Sequence, residues 1–541
     1  MMTRARRLTS IMVMVLIGLS ALAGWSTRAI AQDADRPVMR FGVNAADLLT
    51  LDPHSASGTQ DRTVVDMVFN GLVRFQPGNS AEIEPDLATA IPEPEMVDGK
   101  QVWTFQLRDD VMCHPGPESE AYPLTADDVV ASLQKSADTE RSAYAGDYTG
   151  MTVAKVDEQT VAITMDSPLS ETLFLPKVAN YNGGFIICSQ ALEAMGDDIF
   201  KTHPVGTGPF IFESYTPQNS VVLTANDDYF RGAPKLGGVE VRYMPDVSSR
   251  ELGLQSGELD AASGLSEAQW VDRINAEGTL QADVFGVGEV AFVNFNVTAE
   301  PFNDPKVRQA IAYALSREEH LALYGEPVAE SVYSVVPAQL MPGGLTQEEA
   351  EAQDVAYDQD LERARALLAE AGYADGFSVD LITSEMAAYR ANYEVLQAEL
   401  AEVGIEVNLN VVDHATMHAQ IREDVNPIVI YVAYRPNADV YFTQFFFSES
   451  IVVSGAKPVT NFSHYDQIDD LIVQARAETD PARQDALWKE ANVKLLQDMV
   501  AMPLHFQNQV YARTQAVDYG HELVSSLALY PQITELTTIT E

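Results

Sequence analysis

The passage from Phe377 to Val412 constrains this chain more than any other. "FSVDLIT" reads as a strand, a helix spans about Tyr389 to Val403, and "IEVNLNVV" reads as a second strand. A strand–helix–strand run of this length marks a parallel pair, because parallel neighbours need a crossover that a hairpin cannot supply. "PIVIYVAY" then arrives at the spacing expected of the next sheet member. The same alternation runs through the rest. "QVWTFQLRDDV" and "TVAITMDSP" have the period of half-buried strands. "LTADDVVASLQKS" predicts a helix with Thr125 as N-cap and Asp127 and Asp128 at the positive end of the dipole. "DPKVRQAIAYALSREEHL" predicts one amphipathic helix, "LERARALLAEAGY" another that stops at Gly372, and the segment after Tyr465 a helical pair leading into "FQNQVYAR". The fold class is α/β. At 541 residues the chain exceeds what a single core serves, so two or more domains are expected.

The first residues carry an address. Arg4, Arg6 and Arg7 precede an apolar run from Ile11 to Gly24, and Ala29-Ile30-Ala31 supplies small residues for cleavage. The pattern predicts a secretory signal over residues 1–31 and export to the periplasm; the Arg6-Arg7 pair also permits twin-arginine export. No later run approaches the roughly 20 apolar residues of a membrane span. The balance is acidic, 79 Asp and Glu against 34 Lys and Arg, for a net charge of −45. Such a surface repels nucleic-acid phosphates and anionic lipid, so neither is expected as a partner. Cys113 and Cys188 are the two cysteines. An oxidising compartment allows them to pair, and two buried thiols is the other reading.

Catalytic constellations are missing. There is no nucleophile elbow, zinc-protease pair, phosphate loop or dinucleotide fingerprint, and "VGTGPF" (Val205 to Phe210) reads as a tight turn. No cofactor is expected, and the sequence speaks for binding more than for chemistry. The segment "IVIYVAYRPNADVYF" (Ile428 to Phe442) is unusual: a buried strand whose carboxyl end presents Tyr434, Arg435 and Asp439 where a bland turn is common. In open α/β sheets ligands sit at such ends, often between domains.

Seven segments, in order, carry a resemblance: "LDPHSASGTQDRTVVDMVFNGLVRF", "IEPDLATAIPEP", "WTFQLRDDVMCHPG" with "LTADDVVASL", "PVGTGPFIFESYTPQNSVVLTANDDYFRG", "LQSGELDAA", "FVNFNVTAEPFNDPKVRQAIAYALSREEHL" and "NFSHYDQIDDLIVQA". Together they resemble the extracytoplasmic solute-binding proteins of ABC importers, family 5, of the peptide, nickel and opine-binding type. The resemblance covers nearly all of the exported chain. It implies the two-lobed periplasmic binding protein fold (type II-like, cluster C) with an inserted sub-domain and a ligand cleft between lobes. The first lobe would comprise residues 32–69, 187–285 and 506–541, with residues 70–186 as its inserted sub-domain. The second would comprise residues 286–505. The protein would be a monomer that closes on its ligand and delivers it to the membrane permease.

The resemblance also carries contact positions: Ser57, Gly58 and Thr59 after "LDPH", Tyr144 of "SAYAGD", Ser263 after "GELDAA", and His414 and Arg422 across the hinge. Tyr431, Tyr434, Arg435 and Asp439 complete the set of expected ligand-binding residues. Peptide-binding relatives place an aspartate for the ligand's amino group in this stretch. Here Tyr434 occupies the spot beside Arg435, with Asp439 five residues on. An arginine favours a carboxylate or phosphate, which its planar fork grips at two points. The expected solute is a small peptide, an opine-like compound or another anionic or zwitterionic molecule. A metal chelate held by His414, His418 or His54 is the alternative, and a secreted hydrolase is a third.

Overall fold

Two long strands organise the chain. Leu280–Phe295 and Ala501–Thr514 run antiparallel, from Leu280 opposite Thr514 to Asn294 opposite Ala501. Their pairing slips between Phe285 and Glu289, where "FGVGE" forms a bulge. A bulge bends its strand and sharpens the local twist. The computed structural model describes residues 36–540, so the predicted signal, residues 1–31, lies outside the described residues.

Around this pair is a nine-stranded mixed sheet. In order, its members are Phe210–Thr216, Ser220–Ala225, Gly238–Tyr243, Val38–Val43, Ala261–Ser263, Ala501–Thr514, Leu280–Phe295 and Ile428–Ala433, with Ala329–Ser331 added along Ala501–Thr514. Val38–Val43 is parallel to both of its neighbours. Three of the four apolar cores part on either side of the bulge, and the fourth joins Val328 to residues from Leu254 to Leu280 and to Val510 and Ala512. One core gathers residues from Met39 to Val287 with Tyr511 to Ile533. Two others draw on residues from Val290 to Phe506.

The parallel pair is present, Phe377–Ser384 alongside Ile405–Val412, with the helix Ala387–Glu402 between them. The next strand departs from expectation. Ile428–Ala433 pairs antiparallel with Leu280–Phe295 rather than with either of the parallel strands. A side chain makes the missing join: Asn426 Oδ1 accepts from the Ile382 amide at 2.9 Å, and its Nδ2 donates to the Ile382 carbonyl at 2.8 Å.

Local chemistry explains the other elements. Ala126–Ser136 begins at Thr125, whose amide donates to the Asp128 carboxylate at 2.9 Å. Leu361–Glu370 ends before Gly372, whose φ of +91° costs a glycine little. The single helix expected over 304–321 is two, Pro305–Ala314 and Arg317–Leu321. Leu315 is extended, and the Ser316 hydroxyl accepts from the Glu319 amide to restart the second helix. The local capping bond outcompetes continuation. "VGTGPF" is a bend against the end of the helix Thr59–Val68, where a Cβ on Gly206 would stand 2.1 Å from the Val68 carbonyl oxygen. Cys113 and Cys188 form a disulfide across 75 residues of sequence, which settles the two readings. Closing a loop of that length stabilises the folded state by roughly 2–4 kcal/mol.

Candidate functional site

The strand Ile428–Ala433 is buried at every position, and its end is imposed by the residues that follow. Pro436 has no amide proton for a ladder, and the Asn437 side chain accepts from the Val440 amide at 3.0 Å to cap the helix Ala438–Phe446. Tyr434 and Arg435 are therefore held on a short, tethered turn.

Arg435 lies with its guanidinium 4.8 Å from the centre of the Phe445 ring and one nitrogen on the Tyr434 carbonyl at 2.7 Å. Its Nε is buried and unpartnered. Burial holds its pKa below the ordinary arginine value, against the pull of Tyr431, Tyr441 and Glu289. Glu289, the residue after the bulge, presents surface to open space. The protein walls around it still raise its carboxyl, and Arg435 opposes that rise.

Tyr434 reaches the other core, where it packs among residues that include Tyr144 and Tyr181. Its hydroxyl is buried without a partner. Burial first, and Tyr181 second, push that phenol well above its ordinary value. Arg62 stands on the same side, on the helix Thr59–Val68, with its guanidinium 5.8 Å from the Tyr181 ring and its Nε also buried and unpartnered. Tyr144 donates to the Ala56 carbonyl, fixing the turn that carries Ser57 and Gly58. Ser263 lies opposite Tyr511 in the sheet with its hydroxyl buried and unpartnered.

Two cavities adjoin residues 436–439, one between residues 146–182 and 436–476, the other among residues 75–83, 171–176, 340–342 and 481–488. The larger has a volume of ≈690 Å³ and the smaller ≈340 Å³, and Asp439 borders both. Its carboxylate is already engaged: Arg476 Nε lies at 3.0 Å and the Thr443 hydroxyl at 3.2 Å. Lys177 lines the larger cavity with its pKa held down by burial, while Asp147 and Asp439 pull it up. Beside the smaller one, the Ser170 hydroxyl donates to Gln484 Oε1 at 3.0 Å, a buried bond between residues 314 apart in sequence.

The histidines behave differently. His414 and His418 meet ring to ring at 4.4 Å, flanked by Tyr389 and Tyr431. Burial, then the charges of His414 and Arg422, lower His418 to about 4. Arg422 is exposed and donates to the His418 carbonyl at 3.0 Å and the Tyr431 hydroxyl at 3.3 Å. His54 is fully buried, bonded to the Phe185 carbonyl at 2.9 Å beside the Lys135–Asp52 ion pair, so it is a core residue and not a ligand in waiting. Among the described residues no group of three or more His, Cys, Asp or Glu could hold a metal ion.

The structure thus brings Tyr431, Tyr434 and Arg435 together and sets Tyr434 against the Tyr144 side, while Asp439 faces the cleft already paired. Sequence reasoning missed Arg62, Tyr181 and Glu289. Arg62 lies one helical turn from Thr59, so the i, i+3 spacing within "TQDR" carried a signal. Glu289 is an acid inside the apolar run "FGVGEVAFVNF". Nothing local marks Tyr181.

Comparison with known proteins bears on this geometry. The family model for bacterial extracellular solute-binding proteins, family 5 Middle, matches residues 82–454. The solved structure of MoaA from A. tumefaciens R10 in complex with mannopinic acid is 39% identical, covers 94% of this chain and 100% of its own, and superposes with a TM-score of 0.76. The dipeptide-binding protein of Escherichia coli K12 is 28% identical over 79% of this chain and 81% of its own length. Heme-binding protein A of Haemophilus influenzae is 27% identical over 81% of each.

Proposed function

The chain belongs to the family 5 bacterial extracellular solute-binding proteins, and on that premise we propose that it captures a carboxylate-bearing, opine-like solute between two lobes. Members of this family are solute-binding components of ABC transport rather than enzymes, and the fold is theirs: two-lobed and α/β with a large mixed sheet. No helix among the described residues is long and apolar enough to cross a membrane.

The single observation that carries the opine-like reading is Arg435, a shielded guanidinium whose Nε has no partner. A buried donor left open is costly, and an incoming carboxylate removes that cost. Asp439 argues against an ordinary peptide, because Arg476 already holds the carboxylate that an amino terminus would need. The likeness to MoaA, solved with mannopinic acid, points the same way. The lobes divide at residues 285/286 and 505/506, with the "FGVGE" bulge as part of the hinge, and residues 70–186 are the inserted sub-domain. The signal over residues 1–31 delivers the protein to the periplasm, where it works as a monomer and hands its solute to the permease.

Calorimetric titration of the purified protein with mannopinic acid and with a dipeptide series tests this reading. Binding of mannopinic acid at micromolar concentration or below, with none by the peptides, is expected. The reverse preference would replace the opine-like solute by a peptide.

A further inference from the structure

The smaller cavity, ≈340 Å³, is built unlike the larger one. Its walls are largely apolar and come from two cores: Phe75, Leu175 and Leu527 from the first, and Met341, Ala438 and Trp488 from the core that holds the helix Ala438–Phe446. Trp488 is stacked on Phe442 with ring centres 5.2 Å apart, which fixes its indole. The carboxylates of Glu171, Asp439 and Asp485 stand among the lining residues, and no lysine, arginine or histidine does. The larger cavity, by contrast, carries Lys177, Lys457 and Arg476 beside its acids. Arg476 holds Asp439, and Asp485 accepts from the Gly343 amide at 2.7 Å with Lys489 at 3.5 Å. Glu171 is exposed and makes no ion pair among the described residues. Of the residues expected to bind the solute, Asp439 alone lines this cavity.

Beyond the capture of the solute, we propose that this cavity is a second ligand site, for an apolar cation: an alkyl- or arylammonium whose body fills the space and whose head meets Glu171. Volume sets the size. An apolar cavity of roughly 150 Å³ stays dry and holds benzene. A space of ≈340 Å³ therefore suits a body of about two fused rings. Charge sets the sign. An anion would lie among three carboxylates with no cationic side chain in the wall, and a strongly polar molecule would lose its water to apolar surface. An ammonium instead gains the Glu171 carboxylate, and the indole of Trp488 is the kind of ring that attracts cations best. Because two cores supply the walls, an occupant touches both and favours the arrangement that keeps them together.

The test uses the full exported chain and one ring system in three charge states: naphthylmethylammonium, naphthylmethanol and naphthylacetate. Calorimetry is expected to show the ammonium binding at least about tenfold more tightly than the alcohol, and the acetate not at all. Glu171→Gln should bring the ammonium-to-alcohol ratio below about threefold. Ala81→Phe, which places a ring at the cavity from an exposed position, should weaken ammonium and alcohol alike by at least about tenfold. Melting of each variant confirms that it folds; if Ala81→Phe does not, the ratios of the parent and of Glu171→Gln decide. No binding by the ammonium, equal affinity for ammonium and alcohol, an unchanged ratio in Glu171→Gln, or binding untouched by a folded Ala81→Phe overturns the proposal. The ammonium is also titrated into protein saturated with mannopinic acid. Retained affinity upholds a site separate from the solute's, and displacement makes the cavity part of the solute site and overturns the proposal. If mannopinic acid itself does not bind, the opine-like reading falls and the charge series decides this one.

Discussion

At the scale of the residue, Arg435 shows how a side chain acquires a role from what surrounds it. Its guanidinium stacks on Phe445, which fixes direction, and its Nε is left open, which leaves the site short of one acceptor. Removing it strands the ligand's anion in a water-poor cleft. Arg435→Ala is expected to weaken binding of the cognate acid by roughly 2–5 kcal/mol, from about thirtyfold to several thousandfold. Arg435→Lys should recover only part of the loss, because an ammonium cannot reproduce the two-point fork. Calorimetry of both variants checks this, and affinity within about threefold of the parent for Arg435→Ala would place the anion elsewhere. The neighbouring Asp439 illustrates the converse. It has the right position beside the cleft and the wrong availability, since Arg476 and Thr443 hold it.

At the scale of the element, one amide joins units that the backbone leaves apart. The parallel pair Phe377–Ser384 and Ile405–Val412 has no ladder to the nine-stranded sheet, and Asn426, which is 1% exposed, bridges to Ile382 through both of its side-chain atoms. Truncation there would open the Ile382 amide and carbonyl together. Asn426→Ala is therefore expected to cost about 2–4 kcal/mol of unfolding free energy, more than a surface amide would. Asn426→Asp should fare little better, because a carboxylate accepts from the amide but cannot donate to the carbonyl. Chemical denaturation measures both, and a loss below about 0.5 kcal/mol for the alanine variant would mean that packing alone holds the pair.

At the scale of the whole molecule, two behaviours follow from how the parts meet. The first is closure. Ser170 and Gln484 bond across the cleft, and both cavities have walls from either side of the bulge. Saturating ligand should lower the radius of gyration in small-angle scattering, and Gln484→Ala, by favouring the open form, should raise the ligand concentration at which that change occurs. An unchanged radius at proven saturation would remove the hinge. The second is acid sensitivity. Burial lowers His54 and His114 to about 4 and His505 to about 3. Unfolded histidines titrate near 6.5, so between about 6.5 and 4 the unfolded chain binds more protons than the native one. Stability present above that window is lost as pH falls through it, by up to about 1.4 kcal/mol per pH unit for each histidine. Asp61 and Asp66 oppose this below about 6, because burial raises both and the native state takes their protons first. His114→Gln should flatten the dependence of melting temperature on pH between 6.5 and 4. An unaltered slope would show that His114 is not the buried neutral group it is taken to be.

The sequence by itself determined the classes of element and the family. Period-two and helical patterns depend on local solvation, so "QVWTFQLRDDV", "LTADDVVASLQKS" and the parallel pair were legible without a fold. The strand 428–433 was legible as a strand for the same reason, since six successive apolar residues must be buried on both faces. Its partner was not. Pairing is decided by which backbone is within 5 Å, and here the strand chose Leu280–Phe295, far upstream in the chain. The break at Leu315 also escaped, because continuous amphipathic spacing outweighs one serine when tertiary direction is ignored. The site divides the same way. Tyr434 and Arg435 advertised themselves by interrupting an apolar run, and the disulfide partners were the two cysteines available. Arg62, Tyr181 and Glu289 come from three separate segments, and only tertiary packing brings Arg62 and Tyr181 near Tyr434, and Tyr181 and Glu289 near Arg435. Whether a charged side chain is free or spent is likewise a tertiary fact. The sequence offers Asp439 and Arg435 on equal terms, and the presence of Arg476 beside one and of no carboxylate bonded to the other decides which remains open for a ligand.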